Sequence, residues 1–313
     1  GVSDQYGGLE TDRYLSELAV ETRITDDKVF TEGPAVDRAG AVYFTNIRMN
    51  KILKWDPVGK QLSVFSSTSN ASNGLRFLMD GDLLACEGGS GQVVRYDMDS
   101  GEKTVLADRY NGKSLQAPND LDYDSKGRVY FSSRTGRPDP EKDNLKSVFR
   151  VDKAGQVVQL LTEPKVQMPN GVVVSPDEKT LYVIETNSKT NGNRKILAFD
   201  LHEDGSIANQ RTVIDFYPGR SGDGMCIDAK GNLYVAAGLH KLRNSSETLD
   251  TRPGIHVLSP AGELLAYRRT PEDTVTNCTF GGEDLKTLYV TGGSYLLSAR
   301  TKIPGKKSYR PDS

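Results

Sequence analysis

Apolar residues in this chain come in short runs, not in long helical stretches. Examples are Val42-Tyr43-Phe44, Leu83-Leu84-Ala85-Cys86, Val129-Tyr130-Phe131, Leu181-Tyr182-Val183-Ile184, Leu233-Tyr234-Val235-Ala236 and Leu288-Tyr289-Val290. The runs are rich in β-branched and aromatic residues. Gly and Asp turn signals such as Asp80-Gly81, Lys126-Gly127 and Lys230-Gly231 separate them. That is the pattern of short antiparallel strands, not of alternating βα units.

The runs repeat. Each is preceded by a strand that opens on a polar residue: Glu32, Asn73, Asn119, Asn170, Asp223 and Asn277. These openers are 41, 46, 51, 53 and 54 residues apart. A second hairpin fills most units, as at Lys51 to Asp56, Val93 to Asp97, Val148 to Asp152, Ile196 to Asp200 and Ile255 to Ser259. Six units of four strands at this spacing predict an all-β, six-bladed β-propeller, with four antiparallel strands per blade. Too few residues follow Asn277 for a full blade. The strand-like stretch Leu18 to Ile24 is expected to complete it, closing the ring and removing exposed sheet edges.

Length alone would allow two domains or one large all-β domain. The repeat favours one propeller over 1–313, with 1–15 and 304–313 as peripheral tails. A net charge of −2 excludes a nucleic-acid binder that relies on a basic surface. No apolar run approaches the ~18–20 residues of a membrane span. A soluble protein is expected, with cytoplasmic and periplasmic/secreted homes both open, because the absence of a signal peptide at Gly1 does not decide between them. Three Cys without short spacing read as buried core residues, not as a zinc cluster or disulfide framework. The lone Trp55 is expected to pack between blades.

The openers carry the chemistry. Equivalent positions on innermost strands would converge on one central channel. An Asn-Gly or Asp-Gly turn explains any one opener, but poorly explains six at a matched offset. Two carboxylates and four amides crowded together call for a cation. Carboxylate, amide and water oxygens suit a hard divalent ion. Calcium fits best, with zinc, magnesium and manganese left open. None of the three His stands at an opener position, which argues against a His-rich zinc site.

Four segments, Glu32-Gly33-Pro34, Pro118-Asn119-Asp120, Pro169-Asn170-Gly171 and Gly222-Asp223-Gly224, resemble the metal-site motifs of the SMP-30/gluconolactonase/luciferin-regenerating enzyme family. Ser175 to Val183, Gly254-Ile255-His256-Val257 and Thr276 to Gly282 add to the resemblance, which runs from about residue 28 to 303. It implies a gluconolactonase-like lactonase with one divalent cation in its channel. Glu32, Asn170 and Asp223 would be protein ligands, and Asn119 a fourth ligand or a substrate contact. Asp223 would also be the candidate general base, so Glu32 and Asp223 are the expected catalytic pair. Asn73 and Asn277 complete the ring and would face substrate or lie just behind the ligands.

The implied reaction is hydrolysis of a sugar-type lactone, the cation polarising the carbonyl and activating water. Substrate identity would come from loops over the mouth, which carry Arg134, Arg137, Lys189, Arg194 and Arg243. Arg134 is the expected substrate contact. After Tyr130-Phe131 the chain reads Ser132-Ser133-Arg134 where the family pattern leads one to expect Thr-Asp-Pro, so sugar specificity is open. Glu87 and Glu185 could face the mouth or form surface ion pairs. The expected partner is a small lactone, with no nucleic acid and no membrane, on a monomer or weak homo-oligomer. Alternative readings are a phosphotriesterase-like hydrolase on the same site and a non-enzymatic, calcium-stabilised binding propeller.

Overall fold

The computed structural model describes residues 4–272 and 274–307. Six four-stranded antiparallel sheets follow one another along the chain. In the first, Thr31–Val36, Val42–Asn46, Lys51–Asp56 and Gln61–Ser66 pair in order from inside to outside. The next four sheets begin with Ser72–Phe77, Pro118–Tyr123, Pro169–Val174 and Gly222–Ile227. The sixth holds Val275–Gly281, Thr287–Gly292 and Tyr295–Arg300. Its outer strand is Ala19–Arg23, with Ala19 opposite Ser298 and Arg23 opposite Tyr295. Each innermost strand touches those of the two neighbouring blades, so the six close a ring. The expected six-bladed propeller, closed by its N-terminal strand, is what forms.

The middle strands are apolar on consecutive residues because both of their faces are covered. Val42 and Phe44 pack toward the sixth blade, while Tyr43 between them packs toward the second. Six such clusters fill the six gaps between blades. Fully burying one side chain of this size is worth about 1.5–3 kcal/mol. Trp55 lies in the gap between the first and sixth blades, as expected, and donates to Glu21 Oε1 at 3.2 Å. Outer strands have no such cover: Gln61 to Val64 are exposed.

The first hairpins turn on an acid and a glycine. Asp37 Oδ1 accepts the backbone N–H groups of Ala39 and Ala41, and Gly40 supplies the left-handed residue at φ +93°. The same turn recurs at Asp124–Gly127 and Asp228–Gly231.

Both ends of the chain reach the propeller. Leu15 is fully buried between the fifth and sixth blades. The Tyr6 hydroxyl lies 2.8 Å from His256 Nε2, and burial pulls that imidazole down to about 4. Lys306 crosses the end of the channel opposite the openers. Residues 1–3 and 308–313 of the two expected tails lie outside the described residues. All three cysteines are free and buried. No helix is long and apolar enough to cross a membrane.

Candidate functional site

Every innermost strand starts at the same, upper end of the channel, because the blades repeat one topology. In four blades the pairing register slips across the opener and its successor, between Ser72 and Leu75, Pro118 and Leu121, Pro169 and Val172, and Gly222 and Met225, while in the first it slips just after Glu32, which still pairs with Thr45. In the sixth it slips between Val275 and Asn277. Such an irregularity re-aims a side chain out of the pleat.

The glycines after the openers are not turn glycines. A Cβ on Gly33, at φ +44°, would stand 2.0 Å from the Asn73 carbonyl oxygen. One on Gly224 would stand 2.1 Å from Asn277 Cγ. Adjacent innermost strands approach too closely here for any side chain. The turn explanation of the Asn-Gly pairs therefore gives way to close packing around the channel.

The openers gather at the upper end. Glu32 is 2% exposed, and its Oε1 accepts the Gly33 N–H at 2.8 Å. Burial pushes its carboxyl well above the usual range, and the charges of Asp223 and Asp120 push the same way. Asp223 Oδ2 accepts from Arg220 Nη2 at 3.1 Å, with both side chains buried. Asn170 is buried. The Oδ1 atoms of Asn73 and Asn119 are buried without a hydrogen-bond partner. Asn277 differs from both: its Oδ1 accepts Cys278 N–H at 2.9 Å, and its amide nitrogen donates to Asp120 Oδ2 at 3.0 Å.

Two residues here escaped the sequence reading. Asp120 is buried, and burial drives its carboxyl up to about 6 while Arg76 restrains it. The signal was an acid where most other blades have glycine. Arg220 stands only three residues before Asp223, but a lone arginine there carried no signal that it would be buried against that carboxylate. Arg134 lies one step above the openers, its N–H bonded to the Ala117 carbonyl. Its Nε is buried and unpartnered, and burial lowers its guanidinium while Asp223 and Glu32 raise it.

Other expected residues lie elsewhere. Arg194 is not a solvated charge free to reach substrate. It is fully buried and donates to the carbonyls of Asn187, Pro218, Ser188 and Lys189, tying loops together. Arg137, Lys189 and Arg243 are exposed. Glu87 and Glu185 are fully buried loop anchors: Glu87 takes Lys103 at 2.9 Å, and Glu185 takes the backbone of Gln167 and Met168.

A divalent cation suits this donor set. The buried amide oxygens of Asn73 and Asn119 have no hydrogen-bond donor, and the buried Glu32 carboxyl is pushed up further by the charges of Asp223 and Asp120, so a cation that takes oxygen ligands would satisfy both. Among the described residues no three His, Cys, Asp or Glu form a metal-type cluster. The donors that gather are two carboxylate openers and several amides, the set of a hard ion.

The sequence signature of the SMP-30/gluconolactonase/LRE-like region matches residues 30–294. The chain belongs to this family. Among its relatives, a gluconolactonase of Zymomonas mobilis is 28% identical over 311 residues, covering 90% of this chain and 81% of that one. A regucalcin of Xenopus laevis is 29% identical over 285 residues, covering 88% and 87%. The solved structure of a gluconolactonase from Xanthomonas campestris superposes with a TM-score of 0.78 at 28% identity, covering 92% and 91%. The family matched is thus the one its four motifs resemble.

Proposed function

We propose that this protein is a lactonase that opens a sugar-type lactone at the upper end of its channel, with one divalent cation, calcium, held by Glu32, Asn170, Asp223 and Asn119. The observation that carries the reading is the buried Asn119 Oδ1 without a hydrogen-bond partner, in a channel where the charges of Asp223 and Asp120 add to the burial that pushes the Glu32 carboxyl up. Membership of the family and the gluconolactonase relatives support the reaction class. When bound, the cation supplies Lewis acidity that polarises the lactone carbonyl and stabilises negative charge on its oxygen.

The chain's own residues do the rest. Arg220 occupies Asp223 Oδ2, which leaves Oδ1 as the oxygen to take a proton from the attacking water. The same clamp holds the carboxylate in one orientation. Arg134, with an unpartnered Nε, reaches the oxygens of the substrate from above. Asn73 Oδ1 accepts a substrate hydroxyl.

The deciding experiment pairs metal analysis with a panel of γ- and δ-lactones on the wild type and Glu32→Gln. The wild type is expected to hold one equivalent of calcium and open at least one aldonolactone, and the variant to lose both. A calcium-loaded wild type that turns over none of them overturns the reading.

A further inference from the structure

The six openers are followed by Gly33, Gly74, Asp120, Gly171, Gly224 and Cys278. Only the third blade places an acid at this position, where the strands pack closest. Asp120 is 3% exposed, and its two oxygens have separate partners. Oδ1 accepts the Leu121 N–H at 2.9 Å, and Oδ2 accepts the Asn277 side-chain amide at 3.0 Å. The third and sixth blades face each other across a ring of six. This hydrogen bond therefore spans the channel.

Asn277 passes the connection on. Its amide also acts on the Glu32 carboxyl, working against the burial that raises it, and its Oδ1 accepts the Cys278 N–H. Only one orientation of the amide satisfies both of its hydrogen bonds, since a flipped group would aim its oxygen at the Asp120 carboxylate. On the lower side, Arg76 donates to the Leu121 carbonyl at 3.1 Å. The row Leu121, Asp120, Asn277, Glu32 is thus a bar across the channel floor, anchored on opposite walls.

We infer that Asp120 is a positioning residue: through Asn277 it holds the Glu32 carboxylate in place for cation and substrate. This rests on the lactonase reading above. Partners that orient metal ligands from behind typically alter metal affinity or activity about 10–100-fold when removed.

The test uses the full chain as wild type, Asp120→Asn, Asn277→Ala and the double variant. Calcium binding is measured by calorimetry, and kcat and KM are measured on an aldonolactone. Each single variant is expected to weaken calcium binding about 10-fold and to lower kcat at least as much, with KM within about 3-fold. The double variant is expected to be no worse than the more affected single one, because both break the same bar. Single variants within about 3-fold of wild type on both readouts overturn the proposal, as does a double variant showing the product of the two losses. Melting temperatures report folding, and Asn277→Ala carries the test if Asp120→Asn fails to fold. If the wild type binds no calcium, the cation reading fails, and the bar is judged on kcat alone by the same non-additivity. A chain that neither binds calcium nor opens lactones overturns both readings.

Discussion

The two ends of the channel are built on the same six strands, yet their charges are arranged in opposite ways. At the lower end, Asp122 is ringed by cations. Lys306 Nζ lies 2.8 Å from Asp122 Oδ2, Arg76 Nε 3.8 Å from Oδ1, and the Val174 N–H donates to the same carboxylate at 2.8 Å. Burial works to raise Asp122, but Lys306 and Arg76 outweigh it and hold the carboxyl below its usual value. Every strong polar atom named there has a partner. At the upper end, Glu32 and Asp120 are raised, and two amide oxygens have no partner. One end is closed by the chain itself, while at the other the chain leaves buried amide oxygens without a donor. An acid is a stabiliser or a cost according to whether the chain supplies its counter-charge.

The contrast can be broken most strongly at the upper end. Glu32→Gln is expected to lower kcat/KM at least about 100-fold, in steady-state assays of lactone opening. Metal-free, the same variant should melt no lower than wild type, because it removes an acid that burial disfavours. A stabilising role for Glu32 without metal would blur the two ends.

Asp122→Asn should do the reverse. Removing its charge leaves Lys306 and the buried Arg76 without the carboxylate they share, at a cost of about 3 kcal/mol in denaturant unfolding. Its kcat should stay near wild type. Because folding depresses Asp122, its contribution is present above about pH 3.9 and is lost as pH falls from there.

Acidity sharpens the comparison from the other side. Asp120 titrates at about 6 in the folded protein, against about 3.9 unfolded. The folded state binds that proton more tightly, so its contribution is full below about pH 4 and is lost as pH rises through about 6. Melting of the EDTA-treated protein should therefore decline over this window. Calcium should cancel the decline, and Asp120→Asn should flatten it. The smallest effect belongs to Lys306→Met, which leaves Arg76 in place. Its side chain is 18% exposed, and about 1–2 kcal/mol of stability should be lost.

Much of this architecture was legible in the residues. Short β-branched runs, Asp and Gly turns and one recurring offset imply a ring, and a ring forces matched positions to converge. The six openers were readable as one set for that reason, while the choice of Glu32, Asn119, Asn170 and Asp223 among them came from the family resemblance. Arg194 was misread because a loop arginine looks alike whether it faces solvent or four carbonyls. Asp120 was overlooked because it stands beside an opener, where the turn-like Asn-Gly pattern drew attention to glycine instead.

Local pattern, by itself, determined the fold and the height at which the openers meet, because strand period and turn chemistry act over a few residues. It could not decide which amides stay open and which are used up. Asn277 is spent on Asp120, 157 positions away, while Asn73 and Asn119 keep bare oxygens. Nor could it decide that Lys306 closes the lower end on Asp122, 184 positions away. Those partners come from opposite walls of the channel, and only ring closure sets them within hydrogen-bonding reach.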